Sequence, residues 1–195
     1  MPHIHNQPNQ HDMTISMYII RKVDNNWLCL VHFHKKIGKY MQIGGHIELD
    51  ETPWQSVAHE LEEESGYNLG QLKVAQHTCE IVVDLDYISH PTPFSMNTHN
   101  VNDGHFHSDL CYGFLADGLP ENKPHEGESS DLVWMRLDEM KLSAGRGETL
   151  ADVHSIYKFF IDNFDTYQLV PADSFSLEKP NKPSATYNYG KPGQN

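Results

Sequence analysis

Residues 45–67 read GHIELDETPWQSVAHELEEESGY, and they are the most informative stretch of the chain. Three glutamates in it, Glu60, Glu63 and Glu64, are spaced i, i+3 and i+4. Because residues three and four apart are neighbours on an α-helix, this spacing predicts that the carboxylates share one helical face. Like charges 4 Å apart repel by about 4 kcal/mol at an effective dielectric of 20. Such a cluster is tolerated when it is fully solvated or when it holds a cation, and hard divalent ions such as Mg²⁺ take oxygen ligands.

The helix that carries these glutamates has clear start and stop signals. Thr52 is the predicted N-cap, Pro53 the first helical residue and Gln55 the partner in a capping box. Gly66 is the predicted C-cap. An apolar stripe predicts the face that packs on a sheet: Trp54, Val57, Ala58 and Leu61. The acidic face lies beside this stripe, which predicts a metal site at the edge of a sheet–helix layer.

The stretch resembles the Nudix box, the signature of the Nudix hydrolases. The family pattern is glycine, five residues, glutamate, seven residues, Arg-Glu, an aliphatic residue, any residue, Glu-Glu, any residue, glycine and a hydrophobic residue. Eight positions are in register here: Gly45, Glu51, Glu60, Leu61, Glu63, Glu64, Gly66 and Tyr67. One position departs, because His59 stands where the family has arginine. The alternative, an exposed acidic helix without chemistry, does not account for so many fixed positions.

The resemblance implies a fold and an activity. The fold is α/β (α+β type), with a mixed β-sheet sandwiched between α-helices. The activity is hydrolysis of a nucleoside diphosphate linked to another moiety, in which water attacks phosphorus while Mg²⁺ or Mn²⁺ neutralises charge. Glu51 and His59 are implied to be structural positions of the box, and Glu63 is implied to be catalytic as well as metal-binding. The implied metal ligands are Glu60, Glu63, Glu64 and the backbone carbonyl near Gly45.

A catalytic base in this family often comes from a later loop. Glu126 and Glu128 are the candidates, in the segment HEGESSDLVW. We prefer Glu128, because many relatives carry an acid about that far ahead of a tryptophan such as Trp134. A solvated loop acid is the alternative for either residue.

A second polar constellation lies on a predicted strand. His105, His107 and Asp109 alternate, so their side chains face the same way. We predict that they contact substrate at the border of the cleft. Two imidazoles and a carboxylate can also bind a transition metal or serve only as hydrogen-bonded structure. His90 and His99, in the preceding segment, are near enough in sequence to join them.

Hydrophobic periodicity and composition divide the chain into three parts. Residues 1–12 are a polar arm, residues 13–165 the Nudix domain, and residues 166–195 a Pro/Asn/Gly-rich tail. Strands are predicted at Met13–Ile20, Trp27–Phe33, Lys39–Ile43, Glu80–Ile88, Phe106–Leu115 and Asp131–Arg136. A hairpin joins the first two strands, a long loop spans His90–Gly104, and a final helix spans Thr149–Phe164.

Composition restricts the function classes. The formal net charge of -13 argues against a nucleic acid polymer as partner, but not against a small nucleotide-type substrate whose charge a metal offsets. No apolar stretch approaches the roughly 20 residues of a membrane span, so we expect no membrane partner and a cytoplasmic protein. The composition is compatible with a homodimer. Buried free thiols are expected at the three cysteines: Cys29, Cys79 and Cys111.

Two other functions compete with hydrolysis. The first is a non-catalytic Nudix-fold module that binds a nucleotide and reports it to a partner, and His59 in place of arginine is its main support. The second is an isomerase of the isopentenyl diphosphate type, which shares the fold. The isomerase needs a cysteine facing the metal site, and neither Cys79 nor Cys111 carries such a signature.

Overall fold

Alternating apolar residues build one mixed sheet in the computed structural model, which describes residues 9–77, 88–102, 104–129 and 131–179. Within these ranges nine strands form the sheet. The strands are β1 His11–Val23, β2 Asn26–His34, β3 Lys39–Met41, β4 Ile43–His46, β5 Leu72–Gln76, β6 Ser95–Asn102, β7 His105–Ala116, β8 Leu132–Met135 and β9 Gln168–Pro171. The helices are α1 Pro53–Glu60, α2 Leu137–Gly145 and α3 Ala151–Asp162, and a π-helical turn, Leu61–Ser65, continues α1.

The strand order explains how distant parts of the chain meet. The main path is β3-β2-β1-β7-β5-β9, while β4 pairs with β1, β6 with β7 and β8 with β2. The β1–β7 pair is parallel and the other pairs are antiparallel. Residues paired across neighbouring strands project to the same side of the sheet. The long β1–β7 pair therefore fixes which side chains from the two halves of the chain share a face.

Each face of the sheet is covered by helical structure, which confirms the predicted sandwich. On one face α1 packs through Trp54, which is fully buried and stacks 6.1 Å from Phe114. On the other face α3 packs through Tyr157 and Phe160 in a cluster that includes Tyr18. Burying a large apolar side chain contributes about 1.5–3 kcal/mol, so Trp54→Ala is expected to cost about 3–5 kcal/mol once the cavity is included.

The predicted strands Met13–Ile20 and Trp27–Phe33 are confirmed as parts of β1 and β2. The β1–β2 hairpin turns at Asp24 and Asn25, which both have positive φ, 47° and 64°. Two consecutive residues of positive φ match the right-handed twist of the flanking strands. The segment predicted as one strand at Lys39–Ile43 is split into β3 and β4, which pair with different neighbours, β2 and β1.

The predicted loop at His90–Gly104 is wrong, because β6 occupies Ser95–Asn102. This strand pairs only with β7 in the described part of the sheet and carries mainly polar residues. An edge strand that faces solvent has no apolar alternation for a sequence pattern to detect. Helix α2 was not predicted, while the final helix was. The predicted strand Glu80–Ile88 falls, apart from Ile88, outside the described residues.

Secondary structure extends past both ends of the segment predicted as the Nudix domain. Strand β1 begins at His11, inside the predicted arm. In the predicted tail, β9 pairs with β5, and Ala172 and Phe175 are buried. The Phe175 ring lies 5.9 Å from that of Trp54, so this segment covers the α1 side of the core. No helix in the described ranges is long and apolar enough to cross a membrane.

Candidate active site

The box helix begins and ends where the sequence predicts. The backbone N–H of Gln55 donates to Thr52 Oγ1 at 3.3 Å, and the Thr52 N–H donates to Gln55 Oε1 at 2.9 Å, which completes the capping box. Gly66 has a φ of 74°, and a Cβ there would lie 2.2 Å from the carbonyl oxygen of Asn122. Only glycine combines this backbone with so close an approach.

The last turn of the helix is wider than the α-helix that the spacing predicts. Residues 61–65 form a π-helical turn, and such turns are frequent at functional sites. Within this region Glu60 and Glu64 are buried, Glu63 is half-buried and Glu62 is exposed. The three box glutamates are therefore not equivalent, as two lie against the sheet and one lies at its margin.

Glu60 packs against the glycine turn of the box. Its side chain is buried, with 4% of the residue exposed, and a Cβ on Gly45 would lie 2.0 Å from Glu60 Oε1. The glycine thus allows β4 to lie directly on the carboxylate. The pKa of Glu60 is raised to about 7, mainly by burial; His59 lowers it, and the nearby charges of Glu63 and Glu128 raise it.

Glu64 accepts a backbone hydrogen bond and lies beside a buried imidazole. The Gly44 N–H donates to Glu64 Oε2 at 3.0 Å, and His32 Nε2 lies 3.7 Å from the same oxygen. Burial raises the pKa of Glu64 to about 9 despite the Gly44 hydrogen bond, and burial lowers the pKa of His32 to about 4. Both groups are therefore neutral at pH 7 without a cation, and their contact is not an ion pair.

His59 links two carboxylates of the box. Its Nδ1 lies 3.2 Å from Glu51 Oε1 and its Nε2 lies 3.1 Å from Glu63 Oε1. Burial lowers the pKa of His59, but the hydrogen bond to Glu63 and the charges of Glu63, Glu51 and Glu60 outweigh it, so the pKa is raised. Ser56 Oγ donates to Glu51 Oε2 at 2.7 Å. The imidazole thus occupies a bridging position between the loop and the helix.

The predicted late loop approaches the same cluster. The main chain at Gly127 and Glu128 is fixed by Lys35, whose Nζ donates to the two carbonyl oxygens at 2.7 Å and 2.8 Å. Glu128 is exposed, and its charge contributes to the raised pKa values of Glu60 and Glu64. From the same loop, His125 Nδ1 lies 3.6 Å from Glu63 Oε1.

The His105/His107/Asp109 strand face lies on the other side of the sheet. These residues share a face of β7 with Cys111, which belongs to the cluster under α3. Asp109 accepts a hydrogen bond from Thr14 Oγ1 at 2.8 Å. It does not belong to the group of potential ligands that contains the two histidines. His105 and His107 instead group with Asp12 from β1, the last residue of the predicted polar arm.

The cysteines do not face the acidic cluster in the described part of the chain. Cys29 and Cys111 are buried free thiols, as predicted, and burial raises the pKa of each. Cys111 Sγ lies 3.2 Å from Asp109 Oδ2, on the α3 side of the sheet. Cys79 lies outside the described residues. The isomerase reading therefore gains no support from Cys111.

The donors of the acidic cluster are all oxygen, which is the donor type that hard divalent cations take. Glu60, Glu63 and Glu64 offer oxygen donors, and two of them are buried with raised pKa values. Neither ring nitrogen of the buried His32 forms a hydrogen bond with another described residue. Negative charge here is disfavoured by burial and repulsion, and a bound cation removes both penalties. Mg²⁺ and Mn²⁺ match an all-oxygen donor set.

Comparisons with known proteins agree with the fold. A Nudix family hydrolase from Clostridium perfringens has a similar structure, with a TM-score of 0.61 and 22% identity over 78% of this chain and 97% of that one. A Caenorhabditis elegans Ap4A hydrolase aligns with a TM-score of 0.59 and 16% identity over 79% and 98% of the two chains. The Nudix domain of Shewanella oneidensis NrtR, complexed with ADP ribose, aligns with a TM-score of 0.56 and 15% identity over 80% and 89%.

The sequence itself matches the model of the NUDIX domain over residues 11–153, which is most of the chain. No curated protein sequence matches it. The matched region contains the box, its capped helix and the strands that position the buried glutamates. The chain therefore belongs to the Nudix family, the family of pyrophosphohydrolases that its box sequence resembles.

Proposed function

We propose that the protein is a divalent-metal-dependent hydrolase of a pyrophosphate bond in a nucleoside diphosphate linked to another moiety. The observation that carries this proposal is the packing of two buried carboxylates, Glu60 and Glu64, against the Gly44-Gly45 turn. Two structural neighbours support the substrate class, since one is named an Ap4A hydrolase and another is a Nudix domain complexed with ADP ribose. The proposed partner is accordingly a small nucleotide-type substrate.

The ligands proposed for Mg²⁺ or Mn²⁺ are Glu60, Glu63, Glu64 and the backbone carbonyl of Gly45. When bound, the ion would neutralise phosphate charge and polarise the phosphorus–oxygen bonds. The chain itself orients the donors. Backbone contacts with the glycine turn hold the two buried carboxylates, and His59 holds Glu63 at 3.1 Å. Fixing the donors before substrate arrives lowers the reorganisation that the reaction requires.

Glu128 is the proposed general base. It is exposed to water, its loop is fixed by Lys35, and its charge acts on the same cluster as the proposed ligands. A carboxylate in this position would take a proton from the attacking water, an effect that typically contributes 10²–10⁴-fold to a rate. Substrate contact by His105, His107 and Asp109 stays a prediction, although their strand face points away from α1.

A non-catalytic nucleotide-binding module is the second candidate, and His59 in place of arginine is the observation that favours it. Arginine offers a permanent charge and a rigid fork of donors, whereas the charge of histidine depends on pH. The bridge from His59 to Glu51 and Glu63 preserves the link between loop and helix, which favours the catalytic candidate.

A substrate panel separates the two candidates. Nucleotide sugars, dinucleoside polyphosphates and nucleoside triphosphates would be incubated with the protein in Mg²⁺, Mn²⁺ or chelator. We expect metal-dependent turnover of at least one class, and its loss in Glu63→Gln. Glu62→Gln is the matched control, because it removes an exposed charge from the same turn. Tight nucleotide binding without turnover across the panel would favour the module, and full activity of Glu63→Gln would refute the metal assignment.

A further inference from the structure

We propose that Asp12, His105 and His107 form a second metal site, for a divalent transition metal such as Zn²⁺, on the face of the sheet opposite the acidic cluster. Among the described residues these three form a group whose potential ligand atoms all lie within 4.8 Å of one another. The site is additional to the proposed hydrolytic centre and does not depend on it. Its ligands are of a different chemical type from the all-carboxylate cluster.

The fold, rather than the sequence spacing, assembles this group. The parallel β1–β7 register places Asp12 beside His107, and the two-residue period of β7 puts His105 on the same face. On the other side of β1, His46 is brought alongside by the pairing of β4 at Thr14. The three proposed ligands all sit on strands, which hold ligands more firmly than loops do.

The distances suit a tetrahedral ion. Asp12 Oδ2 lies 3.4 Å from His105 Nε2 and 3.6 Å from His46 Nε2. With bonds of 2.0–2.1 Å to nitrogen and similar bonds to oxygen, neighbouring ligands of tetrahedral zinc are about 3.4 Å apart. The His105 and His107 ring centroids are 5.5 Å apart, and those of His46 and His107 are 4.9 Å apart. Because the ligand atoms of Asp12, His105 and His107 lie within 4.8 Å of one another, small side-chain rotations would bring these three donors onto one ion.

Burial and donor type specify the class of metal. The Asp12 side chain is 0% exposed and that of His105 is 9% exposed. A carboxylate removed from water is stabilised by a paired or coordinated positive charge. Two imidazoles with one carboxylate form a donor set that catalytic zinc sites and non-haem iron sites use, whereas Mg²⁺ prefers oxygen donors. We therefore expect the Asp12/His105/His107 site to prefer Zn²⁺ and the acidic cluster to prefer Mg²⁺.

A metal ion bound at this site should link the start of β1 to the start of β7. Because the three ligands converge only in the folded chain, metal binding adds to the free energy of unfolding. A concentration of free Zn²⁺ above the dissociation constant therefore raises the melting temperature. Protons compete with the metal for the imidazole nitrogens, so the effect should weaken in acid.

Calorimetric titration with Zn²⁺ at pH 7.5 tests the site. The protein is first freed of transition metals, and excess Mg²⁺ is present to fill the acidic cluster. We expect one Zn²⁺ per chain and a rise in melting temperature. Affinity should fall at least about tenfold in His107→Ala and in Asp12→Asn, since even indirect supports of a ligand are worth 10–100-fold. Glu64→Gln should bind as the wild type does.

His99→Ala is the matched control. The His99 ring lies 5.5 Å from that of His107, but His99 is exposed and its Nδ1 contacts Asn97 Oδ1 at 2.9 Å. Circular dichroism of each variant without Zn²⁺ would show whether it is folded. If His107→Ala does not fold, the near-isosteric variant Asp12→Asn still tests the site. Unchanged Zn²⁺ affinity in a folded ligand variant, or loss of binding in Glu64→Gln, would overturn the proposal.

Discussion

Glu64→Gln should stabilise the metal-free protein at neutral pH, although it removes a proposed ligand. The substitution keeps the shape of the side chain and an oxygen that can accept the Gly44 N–H at 3.0 Å. It replaces the other carboxylate oxygen by an amide nitrogen and so removes the ability to carry a negative charge. Since Glu64 is buried beside Glu60 and a neutral His32, that charge is the unfavourable feature of the metal-free site.

The magnitude follows from the pKa of Glu64, which rises from an ordinary 4.5 to about 9 in the folded chain. The folded carboxyl keeps a proton that the unfolded chain loses, so this stability contribution is present below pH 4.5 and is lost as the pH rises towards 9. Between pH 4.5 and pH 7 the loss reaches about 3 kcal/mol, at 1.36 kcal/mol per unit. Relaxation around glutamine leaves an expected net gain of about 1–3 kcal/mol at pH 7.

Thermal melts in chelator at pH 5 and pH 7.5 would measure this gain. For a chain of this size 1 kcal/mol shifts the melting temperature by about 2–4 °C. We expect Glu64→Gln to melt higher than the wild type at pH 7.5, with a much smaller difference at pH 5. Glu62→Gln, which alters an exposed residue, should melt as the wild type does at both values.

Saturating Mg²⁺ should reverse the order, because the wild type gains binding free energy that the variant lacks. A variant that is less stable than the wild type by the same amount at both pH values, in chelator, would refute the reasoning. That result would show that Glu64 acts as a structural hydrogen-bond acceptor and carries no burial penalty for its charge.

Gly45→Ala should raise the Mg²⁺ concentration needed for half-maximal activity at least about tenfold, because the new methyl group would lie 2.0 Å from Glu60 Oε1 and displace it; an unchanged metal requirement would contradict this. His59→Arg should flatten the alkaline side of the pH–rate profile at saturating Mg²⁺, since His59 loses its charge as the pH rises through its raised pKa and arginine does not; superimposable profiles would show that His59 does not organise the site. Glu128→Gln should lower kcat about 10²-fold with little change in KM, and the neighbouring Glu126→Gln should not; equal effects would remove the distinction between these two acids.

The sequence alone determined the parts of the protein that depend on local spacing. The capping box, the terminating Gly66 and the family assignment all follow from residues close together in the chain, and the structure or the family match confirms each. Helix capping is a local interaction between a side chain and backbone groups two or three residues away, so its signal is complete within a short window. The β1–β2 hairpin is local for the same reason.

The tertiary structure decided which side chains share an environment. The spacing of the box glutamates could not show that a π-helical turn buries Glu64 beside His32, because His32 comes from a different element, β2. Strand β6 gave no apolar alternation, since an edge strand is solvated. Asp12 and His107 are 95 residues apart in number and meet only through the parallel β1–β7 pair. Contacts of this kind depend on strand order and register, which no short stretch of sequence encodes.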